Sequence, residues 1–203
     1  MKYQTTFLRS VSAIALTSVI GTVVFAAPEA GSVIGNQAVA TYTNGAGDTI
    51  TVTSNTVETI VQQVAGVSMT SDNTETIAPG GKAFLPHIIT NDGNGADAFL
   101  LEAAENNSGT LNLQPLVFYP DANMDGVADS ATPLFETPTL APGEQFGVVI
   151  EATAPSTASG SDTITVTATS NLDGTVLITN TDTLTISNDA IVELVKSMTA
   201  DPA

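Results

Sequence analysis

Through most of the chain apolar residues alternate with Thr, Ser or other polar residues, the period of a strand with one buried face, while helical spacing is scarce. The segment QAVATYT at 37–43 is followed by NGAGD and then TITVTSNTVETIV at 49–61. Gly45 and Gly47 can supply the positive φ of a tight connection, so a hairpin is expected there. Further strands are expected at 66–70, 82–90, 97–103, 115–119, 145–153, 162–170, 174–180, 182–188 and 190–196. Turn signals separate them: APGG at 78–81, NDGNG at 91–95, NNSG at 106–109, APGE at 141–144, SG at 159–160 and NLDG at 171–174. Short strands at this spacing predict an all-β antiparallel sandwich. Thr residues at 163, 165, 167, 169, 175, 179, 181, 183 and 185 fit its watered surface, because a β-branch favours extended backbone and a hydroxyl tolerates solvent.

The amino terminus breaks the alternation. Lys2 and Arg9 precede the apolar run VSAIALTSVIGTVVFA and then APEA, the order of a secretory signal peptide. Cleavage is expected after Ala26, with Ala27 and Ala30 as alternatives. A membrane anchor competes, but the apolar stretch at 11–27 is short and contains Ser, Thr and Gly, and no later segment is apolar enough to span a bilayer. The expected organisation is a signal peptide at 1–26, a hairpin segment at 27–65, a sandwich at 66–197 and a tail at 198–203. Export to the cell surface or the medium is expected, with the periplasm as the alternative compartment, and no stable membrane span after cleavage.

Charge sharpens this picture. The chain holds 21 Asp plus Glu against 4 Lys plus Arg, a formal net charge of −17; removing 1–26 leaves two bases and a charge of −19. Nucleic acid is therefore an unsuitable partner, since a phosphate-binding face needs clustered Lys and Arg. An apolar fraction of 42% is enough for a core despite that charge. With no Cys, stability in an exported chain must come from core size, edge management, ions or assembly. A hairpin at 31–63 is too short to fold alone, so it must pack on the body or on another subunit.

Residues 121–129 read DANMDGVAD, and they form the one sharp chemical motif. Asp121, Asn123, Asp125 and Asp129 offer side-chain oxygens, Gly126 turns the chain, and the Val127 carbonyl is available. A hard divalent ion takes several oxygens gathered by a turning backbone, and positions 1, 3, 5 and 7 have the spacing of EF-hand-type loops. Position 12 is Thr132, not the bidentate Glu of an EF-hand, and the flanking VFYP and SATPLF are not helical. Calcium is expected at Asp121, Asn123, Asp125, Val127 and Asp129, with Glu136 as a further candidate ligand and magnesium less suited to such a loop. The motif resembles the D-x-N-x-D-G-x-x-D loops of thrombospondin type 3 repeats, in which the ninth position helps close the site.

Other polar residues carry weaker signals. His87 is the sole histidine and is expected as a packed or edge-strand residue. Asp92 and Asp97 are expected in an ordinary turn, with a second ion site as the less favoured alternative. Glu102, Glu105, Glu144 and Glu151 show nothing beyond strand and turn placement, and no Ser has a G-x-S-x-G context, so no enzyme is expected. An echo links TITVTSNTVETIV at 49–61, TITVTATSNLDGTV at 163–176 and TLTISNDAIVELV at 183–195; a degenerate repeat and ordinary strand composition both account for it.

GSVIGNQAVATYTNGAGDTITVTSNTVETIV, followed by VSMTSDNTETIAPGGKAFLPHIITNDGNGADAF and APGEQFGVVIEATAP, resembles the Ig-like conserved repeats of bacterial surface proteins. That resemblance implies an Ig-like antiparallel β-sandwich with an additional N-terminal β-hairpin, found in adhesins and surface assemblies, generally without catalytic residues. This chain has room for about one such domain and not for a long tandem array. The expected function is thus a secreted, calcium-stabilised structural protein of the cell surface or extracellular matrix. It would self-associate by β-strand addition, including into filaments, or join other surface proteins. The alternative is an adhesive or carbohydrate-binding module, which the absence of Trp disfavours.

Overall fold

The computed structural model describes residues 27–106 and 111–189; the expected signal peptide, the expected strand at 190–196 and the tail lie outside them. Twelve strands occur among the described residues: β1 (Val33–Asn36), β2 (Val39–Thr43), β3 (Thr49–Thr53), β4 (Val57–Ile60), β5 (Val67–Met69), β6 (Thr74–Ile77), β7 (Lys82–Asn91), β8 (Phe99–Glu105), β9 (Leu116–Asp121), β10 (Gln145–Thr153), β11 (Gly160–Ser170) and β12 (Leu177–Ile186). No helix among them is long and apolar enough to cross a membrane. The fold is all-β. Its body holds two four-stranded sheets, ordered β5-β7-β10-β9 and β6-β12-β11-β8, with every ladder antiparallel except β6 to β12.

Alternation explains how these sheets face each other. In β7 the odd-numbered Ala83, Leu85, His87 and Ile89 are buried; in β11 the buried set is Asp162, Ile164, Val166, Ala168 and Ser170, with Thr163, Thr165, Thr167 and Thr169 turned the other way. These rows meet Phe99, Val148, Ile150 and Leu184 in one core. Full burial of each such side chain contributes about 1.5–3 kcal/mol, so this layer supplies the stability that a chain without cysteine must find. Leu111 and Leu113 join the core from a segment with no regular structure, an addition that periodicity did not reveal.

The segment after the 121–129 loop shields two sheet edges. Leu134 bridges to Phe118 on β9, Glu136 to Leu100 on β8, and Leu140 to Asp97. Covering β8 and β9 in this way removes open rows of N–H and C=O groups that would invite another strand.

The observed elements differ from the expected ones: β1 was not expected, and the stretch expected as one strand at 49–61 is broken into β3 and β4. The expected strands at 174–180 and 182–188 are a single one, β12, because the NTDT step stays paired with β11 from Leu177 through Ile186. β6 was not expected: TETI is too short to show a period, and its pairing with β12 comes from across the sheet.

The hairpin at 31–60 consists of two consecutive antiparallel ladders, β2–β3 at the tip and β1–β4 at the base. The tip turn runs from Asn44 to Asp48, closed by Asn44 N–H to the Asp48 carbonyl at 2.9 Å, with Gly47 at a φ of 92°. At the base, the Val64 N–H donates to Asn94 Oδ1 at 2.7 Å, Gln63 Nε2 to the Ala96 carbonyl at 2.8 Å and Asn94 Nδ2 to the Pro28 and Gln62 carbonyls. The turn after β7 is the hairpin's root. None of β1 to β4 joins either sheet of the body.

Candidate functional site

The 121–129 loop leaves the end of β9 and folds over the outer face of the β5-β7-β10-β9 sheet, with Gly126 near Pro86 and Met124 near Gly147. Asp121, the last residue of β9, is buried; its two oxygens accept the N–H of Asp125 at 3.1 Å and of Gly126 at 2.9 Å. Asn123 Oδ1 accepts the Asp125 N–H, Asp125 Oδ1 accepts the Val127 N–H at 2.9 Å, and Asp129 Oδ2 accepts the Ala122 N–H at 2.7 Å. Met124 and Gly126 take positive φ of 58° and 83°, which lets consecutive N–H groups turn inward. The loop is thus wound around its acidic side chains. Each carboxylate oxygen has two acceptor positions, so the N–H bonds leave Asp121, Asp125 and Asp129 with capacity for an ion. Among the described residues no three His, Cys, Asp or Glu stand close enough together to hold a metal.

Glu136 belongs elsewhere. Its Oε1 accepts Asn171 Nδ2 at 2.7 Å, and its backbone bridges to Leu100 on β8 of the opposite sheet.

Gly147 ties the loop to the sheet. It pairs with Asp121 across β10 and β9, and a Cβ at this position would collide with the Asp121 carbonyl oxygen and press on Met124. Gly147→Ala is expected to displace the loop start, at a cost of about 1–3 kcal/mol. Urea unfolding checks it, and a cost below a few tenths of a kcal/mol would show that the loop yields freely.

A second polar cluster lies in the core. His87 Nε2 is 2.9 Å from Asp182 Oδ2, both side chains fully buried. Asp182 Oδ1 accepts the Asn73 N–H at 2.7 Å, Asn73 Nδ2 donates to the Pro86 carbonyl at 3.0 Å, and Asn180 Nδ2 reaches the Thr70 carbonyl and lies 3.4 Å from His87 Nδ1. A proton on Nε2 satisfies these contacts, since Nε2 then donates to the carboxylate and Nδ1 accepts from Asn180. The cluster sits where the chain passes from β5 in one sheet to β6 in the other, and its side chains supply partners for backbone groups at that crossing. His87 is therefore a packed histidine, as expected; its partners were not foreseen.

Several of the remaining acids have structural partners too. Asp97 is buried and accepts from Ser170 Oγ, the Ala98 N–H at 2.8 Å and the Leu172 N–H at 3.2 Å, whereas Asp92 is exposed in the neighbouring turn. Glu144 accepts the Ala141 N–H, Glu151 pairs with Lys82 at 2.6 Å, and Glu102 lies exposed on β8. Glu105 meets Asp162; burial pushes its carboxyl above the ordinary glutamate range, the Leu113 N–H opposes the rise, and a hydrogen bond that the protonated Glu105 donates to Asp162 adds to it.

A carboxyl that protonates more easily when folded takes up its proton before the unfolded chain does. Stability carried by Glu105 therefore rises as pH falls from its raised folded pKa toward the ordinary glutamate value, and is lost again as pH climbs back. Glu105→Gln is expected to remove this component from the pH dependence of urea unfolding; an unaltered profile would refute it.

No protein-family model and no curated protein matches the chain. Among solved structures it is similar to a family 123 glycoside hydrolase from Clostridium perfringens, at 14% identity and a TM-score of 0.41 over 62% of this chain; the match spans 28% of that chain. A chain of the CaDoc0917–CaCohA2 complex is matched at 15% identity and a TM-score of 0.36, over 60% of this chain and 99% of that one. Domains 4 and 5 of the S-layer protein SbsC are matched at 14% identity and a TM-score of 0.29, over 68% of this chain and 64% of that chain. With TM-scores of at most 0.41, none of these carries its function to this chain.

Proposed function

We propose that this is a secreted, non-catalytic structural protein of the cell surface or extracellular matrix, an Ig-like sandwich stabilised by calcium and self-associating through its N-terminal hairpin. One observation carries the reading: a packed sandwich bears a two-stranded ribbon that joins neither of its sheets and exposes Val33, Ile34, Val39, Tyr42, Val52, Val57 and Ile60. A lone two-stranded ribbon is marginal in water, and a contiguous exposed apolar patch marks an interaction surface. Labelling β5, β6, β7, β8, β9, β10, β11 and β12 as A, A′, B, C, D, E, F and G gives sheets ABED and A′GFC, the strand order of an Ig-like domain. Lys2, Arg9 and the apolar run behind them support export.

Calcium would be held by Asp121, Asn123, Asp125, the Val127 carbonyl and Asp129, and its binding would have to draw the three carboxylates together, since no three acids stand that close among the described residues. The ion would offset the mutual repulsion of three carboxylates and fix the loop over the sheet. Calcium at a hundred times its dissociation constant is expected to raise the unfolding free energy by about 2.7 kcal/mol, and Asp121→Ala to abolish the rise. Calorimetric melting with calcium and with a chelator tests this; equal transitions together with no heat of binding would remove calcium from the proposal. Sedimentation of the secreted chain tests the association, which a monomer at every concentration would refute.

A further inference from the structure

Residues 27–31 precede the first strand and are nevertheless bonded into the hairpin's root. The Pro28 carbonyl accepts Asn94 Nδ2 at 3.1 Å, the Ala30 N–H donates to the Asn94 carbonyl at 2.8 Å, and the Gly31 N–H donates to the Val61 carbonyl at 2.9 Å. Asn94 thus holds both ends of the hairpin at once, since its side chain also bonds the Val64 N–H and the Gln62 carbonyl. A cut after Ala30 would remove the Pro28 acceptor and the Ala30 donor together. A cut after Ala27 would place the bulky Phe25 three residues before the cut, where an export peptidase takes a small side chain. A cut after Ala26 keeps every bond and leaves Val24 and Ala26 at the small-residue positions.

Ala27 lines a hollow of about 350 Å³ together with Glu29, Asn91, Asp92 and Asn94. Asp92 belongs to the turn after β7 and is held in place by its neighbours: its N–H donates to the Gly66 carbonyl at 3.0 Å, and the Gly93 N–H donates to Asn91 Oδ1 at 2.9 Å. The side chains of Glu29 and Asp92 are exposed, and among the described residues neither carboxylate accepts a hydrogen bond or pairs with a cation. Cations are scarce in this chain. Once 1–26 are removed its side chains supply Lys82, which pairs with Glu151, and Lys196, which lies outside the described residues.

We infer that export cuts the chain between Ala26 and Ala27, and that the α-ammonium freed on Ala27 pairs with Asp92 in this hollow, so that processing completes the clamp on the hairpin's root. One water balances the cut: its oxygen goes to the Ala26 carbonyl carbon, which departs as a carboxylate on the signal peptide, and both its protons go to the Ala27 nitrogen. The inference rests on the export reading and adds what the new terminus does. In the precursor, position 27 offers a neutral N–H; in the mature chain it brings a positive charge to a hollow lined by two acids. Glu29 and Asp92 are the titratable side chains of that lining, and Glu144, in the adjoining turn, is engaged with the Ala141 N–H at 2.7 Å. A carboxylate beside an amine raises its pKa above the ordinary α-amino value of about 7.7–8.0. The contribution to stability is therefore complete below that value and is lost as pH climbs through the raised one.

Mass spectrometry of the secreted chain is expected to find Ala27 at its amino terminus. NMR titration of that terminus is expected to place its pKa above the ordinary range, and Asp92→Asn is expected to lower the proton affinity of the amine about two- to fivefold, the scale of an exposed ion pair. Asp48→Asn, which removes an acid at the far tip of the hairpin, is the control for the general field and should leave that affinity unchanged. Acetylating the amine is expected to reduce the hydrogen-exchange protection of the Ala30 and Val64 N–H groups about two- to fivefold below a pH of about 7 in wild type, with no reduction in Asp92→Asn. Both effects should fade at about 1 M salt. A secreted chain that begins at Pro28 or Gly31 overturns the cut, and one that keeps residues 1–26 overturns the export reading itself. With Ala27 at the terminus, an equal proton affinity in wild type and Asp92→Asn, or an equal fall in Asp92→Asn and Asp48→Asn, overturns the ion pair and leaves export standing. Protection that acetylation does not change overturns the clamp.

Discussion

Asp182→Ala is expected to lower the unfolding free energy by about 2–5 kcal/mol, the cost of leaving two buried donors without their acceptor. The carboxylate is fully buried, receives His87 Nε2 at 2.9 Å and the Asn73 N–H at 2.7 Å, and stands at the crossing between the sheets. Ala would strand both donors in a place that water does not reach, and unsatisfied buried donors carry their full desolvation penalty. Asp182→Asn keeps an acceptor and should lose less. Replacing His87 and Asp182 together by Leu should also lose less than Asp182→Ala, because it removes the buried His87 donor along with its acceptor. Urea unfolding with an unchanged m-value reads all three. A loss below about 1 kcal/mol for Asp182→Ala would mean that the cluster is held by its neighbours and not by this carboxylate.

The second large effect lies at Phe99. Its ring is fully buried at the start of β8, and its backbone exchanges two bonds with Thr137: its N–H donates to Thr137 Oγ1 at 3.0 Å and its carbonyl accepts the Thr137 N–H at 3.0 Å. The ring therefore anchors the core and sits beneath the segment that covers the β8 edge. Phe99→Ala is expected to cost about 3–5 kcal/mol, the transfer term plus a cavity that two sheets cannot close. Phe135, 74% exposed on that same covering segment, provides the contrast: Phe135→Ala should change stability by no more than about 0.5 kcal/mol. Comparable losses at both positions would mean that the covering segment, and not the core, limits stability.

The position of the strands was legible because a strand's side-chain period is local. β10 spans Gln145–Thr153 as expected, β7 ends one residue beyond its expected limit, and the Thr rows of β11 alternate with a buried aliphatic row. Within the acidic 121–129 motif, the spacing by itself places Asp121, Asn123 and Asp125 along one turning loop. The Asp182 cluster had a readable but unused signal: Asn180 and Asp182 share the parity of Leu184 and Ile186, so a strand with one buried face had to carry two polar side chains inward. Glu136 shows the limit of spacing, since the chain between it and Asp129 crosses to the other sheet.

By itself, then, the sequence determined that the chain is built of strands, which residues alternate along each of them, and that one acidic loop has the spacing for calcium. Each follows from chemistry within a few residues. Only the tertiary structure decided which sheet each strand joins, that His87 meets Asp182 from 95 residues away, and that the hairpin's apolar face is left uncovered by its own body. Pairing and burial are contacts between distant segments, and an apolar row specifies that a face must be covered without specifying by what.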